Sequence, residues 1–321
     1  MKNFLRSTSD NIEPNIAPTS PLRLGGEGQG EVGPGPAQRG FDPHLTRPLR
    51  PPGAERGVVG ASCELIGRRF DIEIIAESDK YYWHRYTETY LRAFAALGEA
   101  RLVVEFGVLH GASISWLAKR FPEAEIVGAD ILPRQPEWPV DTRISYRQVD
   151  QEDREAVRAM LASVPGDVDL IIDDGSHIPQ HQASCLAEGL ARLRPGGLYI
   201  LEDICTSHPL QPAFAHYSLR DGRRLPNALN VLLAIQHLRD IAAACDAATI
   251  ASLAAPSFLT ERDVSALFDT IAEIEIYKRT RLPLRCYACG TSDFDYVNWL
   301  CRCGAELYHP ANSMTALVWK R

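Results

Sequence analysis

Residues 171–185 read IIDDGSHIPQHQASC and residues 197–207 read GLYILEDICTS, two apolar runs that each end in a pair of acids. If both runs are neighbouring parallel strands, their carboxyl ends meet at one sheet edge, and Asp174, Glu202 and Asp203 converge there. Three hard oxygen ligands with room for water are the set that Mg²⁺ takes. A cation held in this way makes a nearby hydroxyl more acidic and fixes its direction. His177, on the same turn as Asp174, is a further ligand candidate that would favour a transition metal. His181 falls on the same side of the following helix as a supporting group, and Asp173 either touches a cofactor or caps the turn.

The elements that must position these acids are legible as an alternation. YYWHRYTETYLRAFAAL reads as helix, ARLVVEFG as strand, ASISWLAKRF as helix and AEIVGADI as strand. ISYRQVD, VDLIIDD and GLYILED are the next three strands, with REAVRAMLASV and PQHQASCLAEGLARL as the helices around them. Strands alternating with helices predict a parallel sheet covered on both faces, and the near-continuous apolar character of LVVEF and DLIID fits that burial. Residues 204–260 read as mostly helical, and IAEIEIYKR and SMTALVWKR are two late strands, the last antiparallel.

Between the first strand and its helix, VVEFGVLHGAS places Glu105, Gly107 and Gly111 where a backbone can approach a ligand closely. GxGxxG is absent, which argues against a dinucleotide. Asp130 ends the second strand, where an acid suits a ribose diol, and Asp150 ends the third, where one suits an adenine amino group. Glu105, Gly107, Gly111, Ser113, Asp130, Asp150 and Gln151 are thus the candidate cofactor contacts. Across residues 80–203 the arrangement resembles the class I S-adenosylmethionine-dependent methyltransferases, a Rossmann-like α/β fold of seven strands.

IIDDGSHIPQH, followed by GGLYILEDICTS, and the upstream SDKYYWHRYTETYLRAF resemble more narrowly the metal-dependent sugar O-methyltransferases of macrolide antibiotic biosynthesis, the mycinamicin type, with relatives in the cephalosporin pathway. The resemblance implies Asp174, Glu202 and Asp203 as magnesium ligands, His177 as general base, and a hydroxyl of a sugar or glycosylated metabolite as acceptor. Thr206 and Ser207 are followed here by His208 and Pro209, where that family usually carries an aromatic. Two other readings stay open: the same fold acting on a different small-molecule acceptor, and a non-catalytic cofactor-binding adaptor.

RCYACGTSDFDYVNWLCRCGAELYH contains Cys286-x2-Cys289-Gly and Cys301-x-Cys303-Gly. Paired thiolates on two glycine knuckles are tetrahedral Zn²⁺ ligands of zinc-ribbon type, with His309 as a substitute ligand. Cys63, Cys185, Cys205 and Cys245 are scattered and read as ordinary thiols of a reducing compartment.

The expected organisation is a Gly/Pro-rich disordered tail at 1–56, a methyltransferase domain at 57–281 and 311–321, and a zinc-ribbon insertion at 282–310. The net charge of −7 supplies no basic field for nucleic acid. No apolar stretch approaches the roughly 18–20 residues of a membrane span, and MKNFLRSTSDNIEP lacks the apolar centre of a secretory signal. A cytoplasmic enzyme on a small-molecule substrate is therefore expected, with homo-oligomerisation left open.

Overall fold

A computed structural model describes residues 75–211, 213–255 and 258–321. The expected tail and Cys63 lie outside the described residues.

Helices α1 (Asp79–Tyr82) and α2 (Thr87–Leu97) lead into β1 (Leu102–Phe106), α3 (Ala112–Arg120), β2 (Glu125–Asp130) and β3 (Ile144–Gln148). Then come α4 (Arg154–Ser163), β4 (Val168–Asp173), α5 (Pro179–Arg192) and β5 (Leu193–Leu201). A short hairpin of β6 (Leu219–Arg220) and β7 (Arg223–Arg224) precedes α6 (Ala228–Asp240), α7 (Ala247–Leu253) and α8 (Glu261–Thr270). The chain closes with β8 (Ile271–Lys278), the small pair β9 (Phe294–Asp295) and β10 (Leu300–Cys301), and β11 (Met314–Lys320).

The large sheet has seven strands in the order β3-β2-β1-β4-β5-β11-β8. β11 runs antiparallel to both β5 and β8, as the two late apolar runs predicted. Every residue of β1 and β4 is buried because helices cover both faces. Alternate side chains serve opposite cores: Val104, Phe106 and Ile171 pack with α4 and α5, while Val103, Leu170 and Ile172 pack with α2 and α3. The chain reverses direction of winding between β1 and β4, the place where an open parallel sheet offers a crevice beyond its carboxyl ends.

Two local differences from the sequence reading have physical causes. The stretch expected as one helix is broken between α1 and α2, where Arg85 takes a left-handed φ of 60° and Arg279 reaches in to donate to the Trp83 carbonyl at 2.6 Å. The break turns α1 so that Lys80 points inward. Within 204–260, the segment 219–224 forms a hairpin, with Asp221 and Gly222 at φ 51° and 73° supplying its tight turn.

Asp263 ties the helices that support the sheet. It caps α8 through Thr260 and accepts two hydrogen bonds from Arg154 at 2.8 and 2.7 Å. Burial opposes its charge, but Arg154 and Thr260 outweigh it and hold the carboxyl down to about 2. A depressed carboxyl stabilises the fold above its unfolded value and loses that contribution as the pH falls through its folded one. Asp263→Asn is expected to cost about 2 kcal/mol at neutral pH by urea unfolding. The gap between variant and parent should close as the pH drops from about 4 toward 2, and a gap independent of pH would contradict the pairing.

Candidate active site

Beyond the ends of β4 and β5 the structure brings Asp174 and Glu202 together on Lys80, while Asp203 turns to Tyr86 and His84. The Asp174 N–H donates to the Phe106 carbonyl and the Glu202 N–H to the Asp173 carbonyl, both at 2.9 Å, so the two acid turns continue the sheet's pairing. Asp203 has a left-handed φ of 48°, which turns its carboxylate away from the strand axis. It accepts from the Tyr86 hydroxyl at 2.7 Å and lies 3.4 Å from Nδ1 of His84.

A residue that sequence reasoning missed sits among these acids. The Lys80 ammonium, on a residue only 3% exposed, bonds Asp174 and donates to Glu202 at 2.7 Å, with Glu105 3.8 Å away. Burial works against the ammonium, but the three carboxylates outweigh it and raise its pKa well above the usual lysine value. Burial also pushes Glu105 up to about 7 and Glu202 well above the carboxylate range, with Lys80 pulling both back. For Asp203 burial is outweighed by His84, His177 and the Tyr86 hydroxyl, which hold it below the ordinary value.

One ammonium therefore faces three carboxylates, Glu105, Asp174 and Glu202. These carboxylates are hard oxygen donors of the kind a Mg²⁺-class cation takes, although among the described residues only the four cysteines gather into a single ligand-sized group.

His177 holds a φ of 56°, and the Thr206 hydroxyl pins its carbonyl at 2.7 Å. Its Nε2 lies 3.8 Å from Asp174, while Nδ1 is buried and finds no partner among the described residues. Nε2 is thus the nitrogen that faces the acids. His181 pairs its Nδ1 with the Ser176 hydroxyl at 2.9 Å and steadies the same turn. Asp173 is buried and accepts from Gln151 at 2.7 Å and from the Tyr199 hydroxyl at 3.0 Å. Burial raises it to about 6 against those two donors. Of the two sequence readings of Asp173, bracing the turn is the one its contacts match.

The candidate cofactor contacts divide into two groups. Glu105 and Ser113 are buried, and among the described residues neither Glu105 oxygen nor the Ser113 hydroxyl makes a hydrogen bond. The α3 N-terminus beside them carries no side-chain cap. Free polar atoms and free N–H groups around a glycine turn fit a charged, polar cofactor such as S-adenosylmethionine. Asp130 accepts from the N–H groups of Val108 and Leu132, Asp150 from that of Glu152, and Gln151 bridges Asp173 to the Ser176 N–H. These three shape the loops of the edge.

Gly107 is where that edge is tightest. Its φ is 86°, and a Cβ there would stand 2.1 Å from the Asp174 carbonyl oxygen. Gly107→Ala is expected to push the glycine turn and the Asp174 turn apart, weakening S-adenosylmethionine binding by at least about tenfold in calorimetry. Unaltered affinity would show that the turn does not contact cofactor.

The sulfurs of Cys286, Cys289, Cys301 and Cys303 all lie within 4.8 Å of one another. They are unlinked, with the closest pairs 3.4 and 3.7 Å apart. β9 and β10 form the short hairpin between the two knuckles. Four thiolates in one shell suit Zn²⁺. His309 uses its Nδ1 to accept from the Ala311 N–H.

Comparison with known proteins matches residues 104–204 to the family profile described as a methyltransferase domain. Over that span the chain resembles a methyltransferase domain. That span contains the glycine turn, Asp174, His177, Glu202 and Asp203, and Lys80 reaches it from upstream. The chain is 36% identical over 145 residues to an 8-demethyl-8-alpha-L-rhamnosyl tetracenomycin-C 2'-O-methyltransferase of Streptomyces olivaceus, covering 43% of this chain and 37% of that protein. A second relative from Streptomyces olivaceus, named for 3'-O-methylation of the 2-methoxy-rhamnosyl compound, is 31% identical over 191 residues, covering 57% of this chain and 48% of it. The chain thus spans less than half the length of these two relatives. Among solved structures, the methyltransferase MycE of the mycinamycin biosynthetic pathway, in complex with Mg, SAH and mycinamycin VI, superposes with a TM-score of 0.51. At 22% identity, over 78% of this chain and 54% of MycE, that likeness establishes the shared fold.

Proposed function

We propose that the chain transfers a methyl group from S-adenosylmethionine to a hydroxyl of a glycosylated small molecule, with Mg²⁺ held by Asp174, Glu202 and Asp203 and with His177 as general base. The observation that carries this reading is the gathering of Glu105, Asp174 and Glu202 around Lys80, with His177 beside Asp174, at the crevice of a span that matches a methyltransferase-domain profile. The relatives named for methylating rhamnosyl hydroxyls support the acceptor class, and rhamnosylated tetracenomycin is the first acceptor to try.

When bound, S-adenosylmethionine supplies a methyl group on a sulfonium, and Mg²⁺ supplies positive charge that makes a nearby hydroxyl more acidic. His177 takes the hydroxyl proton at Nε2, the nitrogen left open by the burial of Nδ1. Held at the Gly107 turn beside Glu105 and Ser113, the cofactor would supply the methyl group with the carbon–sulfur bonding pair left on its sulfur. Asp174 lies 3.8 Å from Nε2 of His177, on the side from which the proton arrives. Lys80 and the clasped ends of β4 and β5 hold the acids at fixed spacing, which limits reorganisation during the step. An adaptor without activity would have no use for a base and these acids together.

The cysteine quartet holds Zn²⁺ in a structural role, and a reducing cytoplasm suits its free thiolates. Among the described residues no helix is long and apolar enough to cross a membrane.

The metal assignment is tested with Asp174→Asn and Glu202→Gln. Each is expected to raise the Mg²⁺ concentration needed for half-maximal rate by about tenfold or more. A Mg²⁺ response identical to the parent's would remove these residues as ligands.

A further inference from the structure

We infer that the cysteine-held ribbon is the outer wall of the acceptor pocket, so that zinc, though remote from the reacting atoms, governs how the glycosyl group is held. The inference rests on the O-methyltransferase reading for the nature of the ligand. A cavity of about 400 Å³ opens between the segment bearing α1 and the ribbon. Asp79, Trp83 and His84 line one side, and Tyr287, Glu306 and His309 line the other. His84 connects it to the catalytic acids, since the same ring lies 3.4 Å from Asp203. Aromatic rings interleaved with carboxylates and imidazoles present apolar faces and hydrogen-bonding groups together, the combination that holds a polyhydroxylated ring.

The ribbon is locked onto this segment. Trp83 packs with buried Cys286, Cys301 and Leu307 in one apolar cluster, and its ring meets Tyr287 edge-on at 4.6 Å. The Leu284 N–H donates to the Tyr82 carbonyl at 2.7 Å. Buried Arg279 spans both parts, donating to the Trp83 and Leu307 carbonyls at 2.6 Å each while its guanidinium sits 4.5 Å from the Trp83 ring centre. Two of the metal-ligand sulfurs thus belong to the core that fixes Trp83, and Trp83 lies between Lys80 and His84 in the chain. Losing the metal removes the crosslink that holds Tyr287 and Glu306 opposite them.

The test uses the full chain, labelled S-adenosylmethionine and rhamnosylated tetracenomycin. Tyr287→Ala and Glu306→Gln are each expected to raise the acceptor KM by about tenfold, with kcat within about twofold and cofactor affinity unmoved. An acceptor KM that stays within about twofold in both variants overturns the inference. Hydrogen exchange decides the coupling without turnover: stripping zinc should deprotect residues 79–84 while β4 and β5 keep their protection. Equal protection of 79–84 with and without zinc overturns it. A parent protein that methylates no glycosylated acceptor defeats the O-methyltransferase reading alone, and the exchange result then stands for the ribbon.

Discussion

His177→Ala is expected to lower kcat by about 10²- to 10⁴-fold while leaving S-adenosylmethionine affinity and the Mg²⁺ requirement in place. The prediction follows from position. Nε2 is on the acid side of the ring at 3.8 Å from Asp174, and the Thr206 hydroxyl fixes the backbone that carries it. His177 has a φ of 56°, a region that histidine and asparagine occupy more readily than alanine, so the alanine variant mixes a backbone effect with the loss of the imidazole. His177→Asn separates the two, since asparagine tolerates the left-handed region but takes up no proton near neutral pH. Both variants should show the same loss by steady-state rates, with calorimetric cofactor binding as the control. A kcat within about tenfold of the parent in His177→Asn would remove the imidazole as base.

Lys80→Met should cost about 3–5 kcal/mol of stability in EDTA, because it leaves Glu105, Asp174 and Glu202 facing one another without their buried cation. Methionine matches the length of the lysine stem, so the loss reports charge more than packing. Added Mg²⁺ should restore part of that stability, since it offers charge to the same oxygens. Urea unfolding with and without Mg²⁺ reads both effects. A change below about 1 kcal/mol would mean that the three acids do not depend on Lys80.

Lys80 also marks the limit of what the sequence discloses. Its partners Asp174 and Glu202 are 94 and 122 residues away in the chain, and a lysine beside tyrosines in a helical pattern reads as a solvated face. The helix breaks at Arg85, where Arg279 takes the Trp83 carbonyl, and Lys80 lies inward on the short helix before it. The acids were legible because strand ends in a parallel sheet fall at one edge whatever the side chains do, and LVVEF, DLIID and LYILE announce their burial by composition alone. The roles of Asp130, Asp150 and Gln151 were less legible. Their types suit a cofactor, and each carboxylate or amide also answers nearby backbone N–H groups, contacts set by loop geometry. The gathering of four cysteines could be read from spacing, whereas its place over Trp83 depends on the sheet having set β8 beside β11.

The most direct test of the proposed chemistry is methyl transfer from labelled S-adenosylmethionine to a panel of glycosylated acceptors, run with Mg²⁺, with EDTA, and with Mg²⁺ restored. The expected result is label on a sugar hydroxyl with Mg²⁺, background in EDTA and recovery on restoring the ion. Transfer undiminished in EDTA, or no transfer to any glycosylated acceptor by protein that binds the cofactor, would contradict it.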